Sequence, residues 1–374
     1  MTIPVDQIEA DRTANLDRAV QAMRSRDVAA LLLGPGADLL CLTGYRANAL
    51  ERMTVLVVRQ DGQHQLIVPA LEHAAAVAGT SAVQIRSYAE GQDAASVVGD
   101  ALSHVDPQAC IGVGDQLWAR FLLAIQQVRP ATQWCPASLI TREVRMTKDA
   151  VGLSGLRRAG CAIDAVHQRM AQLLIPGRTE RQVGVAIAAA MREEGHDEVD
   201  FVIVGSGPNG ASPHHETSDR LIALGDPVVV DIGGPVAGWF SDCTRNYVIG
   251  QAPDGYLEIF EVLQEAQRAA VAQVRPGVAA ASVDAAARDV ITAAGYGDAF
   301  IHRTGHGIGL EVHEEPYITA DNQLPLQAGM TFSIEPGIYL EGRFGMRIED
   351  IVAVTDDGVE RLNTNPTDVV YLPA

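Results

Sequence analysis

Basic residues are scarce in this sequence. Lys and Arg number 28 against 47 Asp and Glu in 374 residues, a net charge of −19. Nonspecific binding to a phosphate backbone depends on cationic neutralisation, so the balance argues against a nucleic-acid partner. Long hydrophobic runs are missing too. No window approaches the roughly 20 continuous apolar residues of a membrane span, and the first ten residues carry neither a basic n-region nor an apolar h-region. A soluble, cytoplasmic protein without a membrane partner is expected. Cysteine is sparse and dispersed. Cys41, Cys110, Cys135, Cys161 and Cys243 are odd in number and never form a Cys-x-x-Cys pair, which argues against a disulfide frame or a thiolate zinc site. They read as buried thiols in a reducing compartment. No low-complexity segment is present.

What remains is a soluble globular composition, 47% apolar and 20% charged. At roughly 150 residues per domain the chain has room for two. Thr13 to Asp27 has helical apolar spacing and precedes the run Val28 to Leu33, which stops at Gly34-Pro35-Gly36 and reads as a strand. Residues 53–60 and 64–69 flank Asp61-Gly62, a hairpin dipeptide. Helix and strand go on alternating to about Trp134, so an α/β domain is expected over residues 1–145, with Cys135 to Thr147 as the linker.

Residues 146–374 repeat their own punctuation. A helix capped by Thr147 runs from about Lys148 to Ile175 and stops at Pro176-Gly177; Thr179 and Gln182 then form a capping box for a second helix ending at Gly195. A hundred residues on, a helix from about Gly255 stops at Pro276-Gly277, and another opens near Ser282 and ends at Gly295. Strands Pro227–Asp231 and Phe240–Ile249 follow the first pair, Met330–Glu335 and Phe344–Val354 the second. Two such halves predict a curved antiparallel sheet backed by helices, an α+β domain with an approximate two-fold axis.

Acids interrupt these strands. Asp231 lies inside Val228-Val229-Val230-Asp231-Ile232, and Asp242 falls nearly opposite it in a hairpin turning near Val236. Glu335 and Glu349 repeat the arrangement about a turn near Gly342. Opposed like charges destabilise a sheet unless a cation lies between them. His302, His306 and His313 occupy a stretch too glycine-rich for a helix, which therefore presents them from a loop or strand. His214 and His215 precede the first hairpin. Lone histidines are usually surface or satisfied core residues, and His64, His73, His104, His167 and His196 are read so, with His215 left open. Four carboxylates and one imidazole are too many for one tetrahedral zinc and suit two cations bridged by carboxylates. Such a site makes hydroxide at neutral pH and polarises a carbonyl, and amide hydrolysis is its natural chemistry.

Pro213-His214, Val230-Asp231-Ile232-Gly233, Ser241-Asp242-Cys243-Thr244-Arg245, Gly305-His306-Gly307-Ile308-Gly309, Glu311-Val312-His313-Glu314, Ile334-Glu335-Pro336-Gly337 and Arg347-Ile348-Glu349-Asp350 resemble the motifs of the pita-bread metallopeptidases. The resemblance covers residues 150–370, and residues 1–145 resemble the creatinase-type N-terminal domain of Xaa-Pro dipeptidases and aminopeptidase P. It implies that Asp231 and Asp242 bind one metal, His306 and Glu335 the other, and that Asp242 and Glu349 bridge them. Two divalent ions are implied, Mn2+ first, with Co2+ or Zn2+ as alternatives. His214, His302, His313 and Arg347 match substrate-side residues: His313 at the oxyanion, Glu335 moving the proton, His214 and His302 near the proline side. Arg347 either takes the substrate's terminal carboxylate or offsets the acid cluster. Cys243, where an aliphatic residue is usual, should face away from the metals. The implied function is hydrolysis of peptides with proline at the second position, as a prolidase (Xaa-Pro dipeptidase). The alternatives are an aminopeptidase P on longer peptides, a hydrolase of a small non-peptide C–N bond, or a noncatalytic peptide-binding module. A homodimer in which one subunit's N-terminal domain walls its partner's site is also implied.

Overall fold

A run of apolar residues without alternation, Val28–Leu33, forms the centre of the first sheet because both of its faces are covered. Leu31 and Leu33 pack with Leu16, Met23, Ile140 and Val144 on one face, while Ala30 and Leu32 pack with Val97, Val98 and Ile125 on the other. The computed structural model describes residues 5–373, with side chains from residue 12 onward. The opening residues that argued against a leader therefore lie partly outside the described ones. The chain divides into two compact units between Arg145 and Met146.

In the first unit the central strand pairs antiparallel with Val55–Arg59 and parallel with Cys110–Val113, within a six-stranded mixed sheet. Gly62, at φ 82°, turns the hairpin between Val55–Arg59 and Gln65–Pro69. The expected linker is not a linker. Gln133–Pro136 is an edge strand and Ser138–Met146 a helix, and Ala137, Ile140 and Val144 are buried in the core. Pro136 ended the sequence pattern early because a proline at the end of an edge strand costs no ladder hydrogen bond.

The second unit contains the repeat. Helices Ala150–Gln168 and Glu180–Glu193 back one sheet, through Ile163, Val166, Val183 and Ile187 against Val204, Val228, Val230 and Ile232. Helices Tyr256–Gln273 and Ala280–Ala293 back the other, through Ile259, Leu263, Val283 and Ala287 against Ile318, Phe332 and Ile334. The capping box of Thr179 and Gln182 is present. The first helix, however, is capped by Asp149, whose carboxylate accepts from Gly152 N at 2.7 Å, and it ends at Gln168 with a separate turn at Met170–Leu173. Thr147 instead bridges to Met330. The sheets are antiparallel except where Val370–Leu372 joins Tyr247–Ile249 in parallel. Among the described residues, no helix is long and apolar enough to cross a membrane.

Candidate metal centre

Strand alternation aims the first two acids. In Pro227–Val236, Val228, Val230 and Ile232 enter the helix-backed core, so Asp231 projects from the opposite face. In Trp239–Ile249, Cys243, Tyr247 and Ile249 take the core side and Asp242 and Thr244 the other, so Cys243 does face away from the acids. The turn at Ala237 and Gly238, both at positive φ, sets a register with Asp231 facing Thr244 and Asp242 facing Gly233. The aspartates are thus diagonal neighbours on one face, two positions from being directly opposed.

Glu335 and Glu349 lie where a ladder breaks. Ile334 pairs with Asp350 and Gly337 with Arg347, and the residues between leave the sheet. The Glu335 amide donates to Thr304 O at 2.8 Å and the Glu349 amide to Thr244 O at 3.3 Å, which ties the second hairpin to the first. His306 lies on the short strand Gly305–Gly307. A side chain at Gly305 would collide with the Ser333 carbonyl, and one at Gly307 with the carbonyls of Glu314 and Glu315, so only glycines allow the close packing that seats His306.

His306 Nδ1 lies 3.1 Å from Gly307 O, which assigns the proton to Nδ1 and leaves Nε2 with a lone pair. Nε2 is 3.3 Å from Glu335 Oε1 and 3.6 Å from Asp242 Oδ2. Burial, then the charge of His313, pulls this imidazole down to about 3 and keeps it neutral. Ligand atoms of Asp242, His306 and Glu349 lie within 4.8 Å of one another. Asp231 Oδ1, Asp242 Oδ1 and Glu349 Oε1 are buried without a hydrogen-bond partner. Burial, then mutual repulsion, raises the Asp242 and Glu349 carboxyls well above the carboxylate range. Burial first and the charge of Asp231 bring Glu335 up to about 7, against the opposing pull of Arg347. Three orphaned oxygens beside an imidazole lone pair make an oxygen-rich donor set that fits divalent cations.

Arg347 is buried, and each of its three nitrogens has a partner. Nη2 lies 2.5 Å from Asp231 Oδ2, Nη1 donates to Tyr339 Oη at 2.7 Å, and Nε donates to Thr244 Oγ1 at 3.1 Å. These contacts favour the second of its two expected roles, offsetting the acid cluster, over a fork for a substrate carboxylate. His302 is engaged at both nitrogens. Nδ1 lies 2.7 Å from Arg303 O and so carries the proton, and Nε2 accepts from Tyr339 Oη at 2.9 Å. Burial, then the charge of Arg347, lowers it to about 4. His302 thus holds the Tyr339 hydroxyl in place. His313 is exposed, with its ring 4.2 Å from that of His306, and His214 is exposed on the loop before the first hairpin.

His215 anchors that loop. Its Nε2 lies 2.7 Å from Glu180 Oε2, and the buried Glu180 also accepts from Ser206 Oγ at 2.6 Å, Ser218 Oγ at 2.6 Å and Ser206 N at 2.8 Å. His167 and His196 are satisfied core residues, bound to Tyr247 Oη and Cys243 O, and to Met191 O and Ser241 Oγ. Sequence reasoning missed Tyr339, Glu180 and Thr244, together with Lys148, whose Nζ lies 2.5 Å from Glu314 Oε1 next to His313. Only Glu180 left a signal, as an acid behind the capping residue Thr179. Of the five thiols expected to be buried only Cys243 is; Cys161 is exposed and Cys41, Cys110 and Cys135 are half-buried, the last two with sulfurs 3.1 Å apart on adjacent parallel strands.

The profile of metallopeptidase family M24 matches residues 154–356, and that of the creatinase/prolidase N-terminal domain matches residues 15–147. A probable dipeptidase PepE of Mycobacterium tuberculosis is 46% identical over 362 residues, which are 95% of each chain. A Xaa-Pro dipeptidase of Lactobacillus delbrueckii is 32% identical over 96% of this chain and 99% of its own. The crystal structure of dipeptidase PepE from Mycobacterium ulcerans superposes with a TM-score of 0.92 at 47% identity, covering 98% of this chain and 99% of that one.

Proposed function

The chain belongs to metallopeptidase family M24, and we propose that it hydrolyses the Xaa-Pro bond of dipeptides with two divalent ions, Mn2+ first among them, as a cytoplasmic homodimer. The three orphaned carboxylate oxygens around the His306 lone pair carry this reading. Its dipeptide substrate follows the relatives named for that activity. Asp231 and Asp242 would hold one ion, His306 and Glu335 the other, with Asp242 and Glu349 shared. When bound, the pair supplies an activated water and polarises the scissile carbonyl. Oxygen ligands outnumber nitrogen four to one with no thiolate, which favours Mn2+ or Co2+ over zinc.

The protein's own residues do the rest. Glu335 takes the proton of the attacking water and passes it to the leaving prolyl nitrogen. His313 donates a hydrogen bond to the carbonyl oxygen as charge develops on it. His214, exposed on the loop held by Glu180, meets the proline side. Arg347 and Tyr339 keep Asp231 and His302 in place. The test is hydrolysis of Ala-Pro, Ala-Pro-Ala and creatine by the Mn2+-loaded protein. Cleavage of Ala-Pro well above the other two supports the reading; preference for the tripeptide selects an aminopeptidase, and turnover of creatine a non-peptide hydrolase.

A further inference from the structure

A dipeptide keeps a free carboxylate one residue beyond the scissile bond, and this protein, at −19, opposes that charge unless a cation meets it. The cations around the site are few and mostly engaged. Arg347 is held by Asp231, Tyr339 and Thr244, Arg288 by both oxygens of Asp284 at 2.9 Å, and Arg245 by Asp350 at 2.6 Å. Lys148 is buried against Glu314.

Arg303 differs from all of these. It lies between His302 and Thr304, three residues before His306, and among the described residues no carboxylate forms an ion pair with it. Its backbone carbonyl receives His302 Nδ1 at 2.7 Å, which fixes the start of its side chain relative to the site. Its guanidinium lies over the ring of Tyr317, 4.5 Å from the centroid, on the strand Glu314–Ile318 that pairs with the strand of His306. An aromatic face holds a guanidinium flat without using its N–H donors, so the planar fork stays available to a carboxylate.

We propose that Arg303, shelved on Tyr317, takes the terminal carboxylate of the dipeptide and so sets substrate length at two residues. This rests on the dipeptidase reading above and names the residue that gives that reading its length selectivity. Arg303 is a specificity residue rather than a participant in bond cleavage, so its loss falls on substrates with the free carboxylate. It is half-buried and bonds to no metal ligand, so its removal leaves the metal centre intact.

The experiment compares kcat/KM for Ala-Pro and Ala-Pro amide, using the Mn2+-loaded wild type, Arg303→Met and Arg303→Lys. A charge-assisted hydrogen-bonded pair is typically worth a factor of about 10 to 100. Wild type is expected to prefer the free acid by that factor. Arg303→Met should lose most of the preference through a higher KM for Ala-Pro, with the amide changed no more than about threefold. Arg303→Lys should fall between, because a point charge does not reproduce the fork. Metal content and melting temperature of both variants, matched to wild type, show that the fold and centre are intact. An Arg303→Met enzyme that keeps the wild-type preference overturns the proposal and leaves the dipeptidase reading standing, as does a wild type indifferent to amidation. A wild type that cleaves neither substrate overturns the dipeptidase reading and this inference with it.

Discussion

Arg347 Nη2 lies 2.5 Å from Asp231 Oδ2, so this guanidinium is bound to a carboxylate that would hold metal. The same side chain reaches Tyr339, which reaches His302, in a buried relay of donors. Arg347→Lys should therefore act through the metal. A single ammonium cannot serve Asp231, Tyr339 and Thr244 together, and lost support around a ligand typically lowers metal affinity about 10- to 100-fold. Mn2+ retained after dialysis and kcat should fall together with little change in KM. A raised KM for Ala-Pro at full metal content would return Arg347 to the role of carboxylate anchor.

The acid cluster makes the metal-free protein pay for its own ligands. Asp242→Asn or Glu349→Gln replaces a buried carboxylate that has one oxygen without a hydrogen-bond partner. Each variant should melt above wild type in chelator, yet lose activity and the rise in melting temperature that Mn2+ gives wild type. At 100 times its dissociation constant a ligand adds about 2.7 kcal/mol to stability. Thermal melts with and without Mn2+ check this, and a variant with the full Mn2+ response would contradict the ligand assignment.

His313 and His306 lie ring to ring at 4.2 Å but should fail differently. His313→Ala should keep its metal and lose on the order of 100-fold in kcat, the cost of one preorganised donor at an oxyanion. His306→Ala should lose metal and activity together. Equal metal loss in both would show that the two roles are misassigned.

Much of this centre was legible in the sequence because strand periodicity is local. Val228, Val230 and Ile232 mark one face, so Asp231 is marked as the exception, and the recurrence at Glu335 and Glu349 points to a shared axis. What stayed hidden depends on distant contacts. Tyr339 reads as an ordinary strand aromatic until the fold brings Arg347 and His302 to its hydroxyl. Arg347 looks like an available fork because only the folded register brings Asp231 and Thr244 to it. The helix at Ser138–Met146 was obscured by its place behind Pro136, although its apolar face packs on the first sheet.

Glu180 gives a pH signature away from the metal. Burial would raise this carboxyl, but hydrogen bonds from Ser206, Ser218 and His215 outweigh it and hold it at about 2, below its ordinary 4.5. A depressed carboxyl stabilises the fold fully above its unfolded value and loses that contribution as pH falls through the folded one. The stability lost in Glu180→Gln relative to wild type should be on the order of 2–3 kcal/mol at pH 7. It should shrink between about pH 4.5 and pH 2. Urea melts across that range test it, and a pH-independent gap would rule out ionised Glu180 as the anchor of the His214 loop.

A paired metal centre built from Asp231, Asp242, His306, Glu335 and Glu349 fixes a stoichiometry of two ions per chain, which titration reads out. Metal-free protein is titrated with Mn2+ while bound ion per chain and Ala-Pro hydrolysis are measured on the same samples. Activity should reach its plateau at two equivalents per chain. Full activity with one tightly bound ion per chain would contradict it.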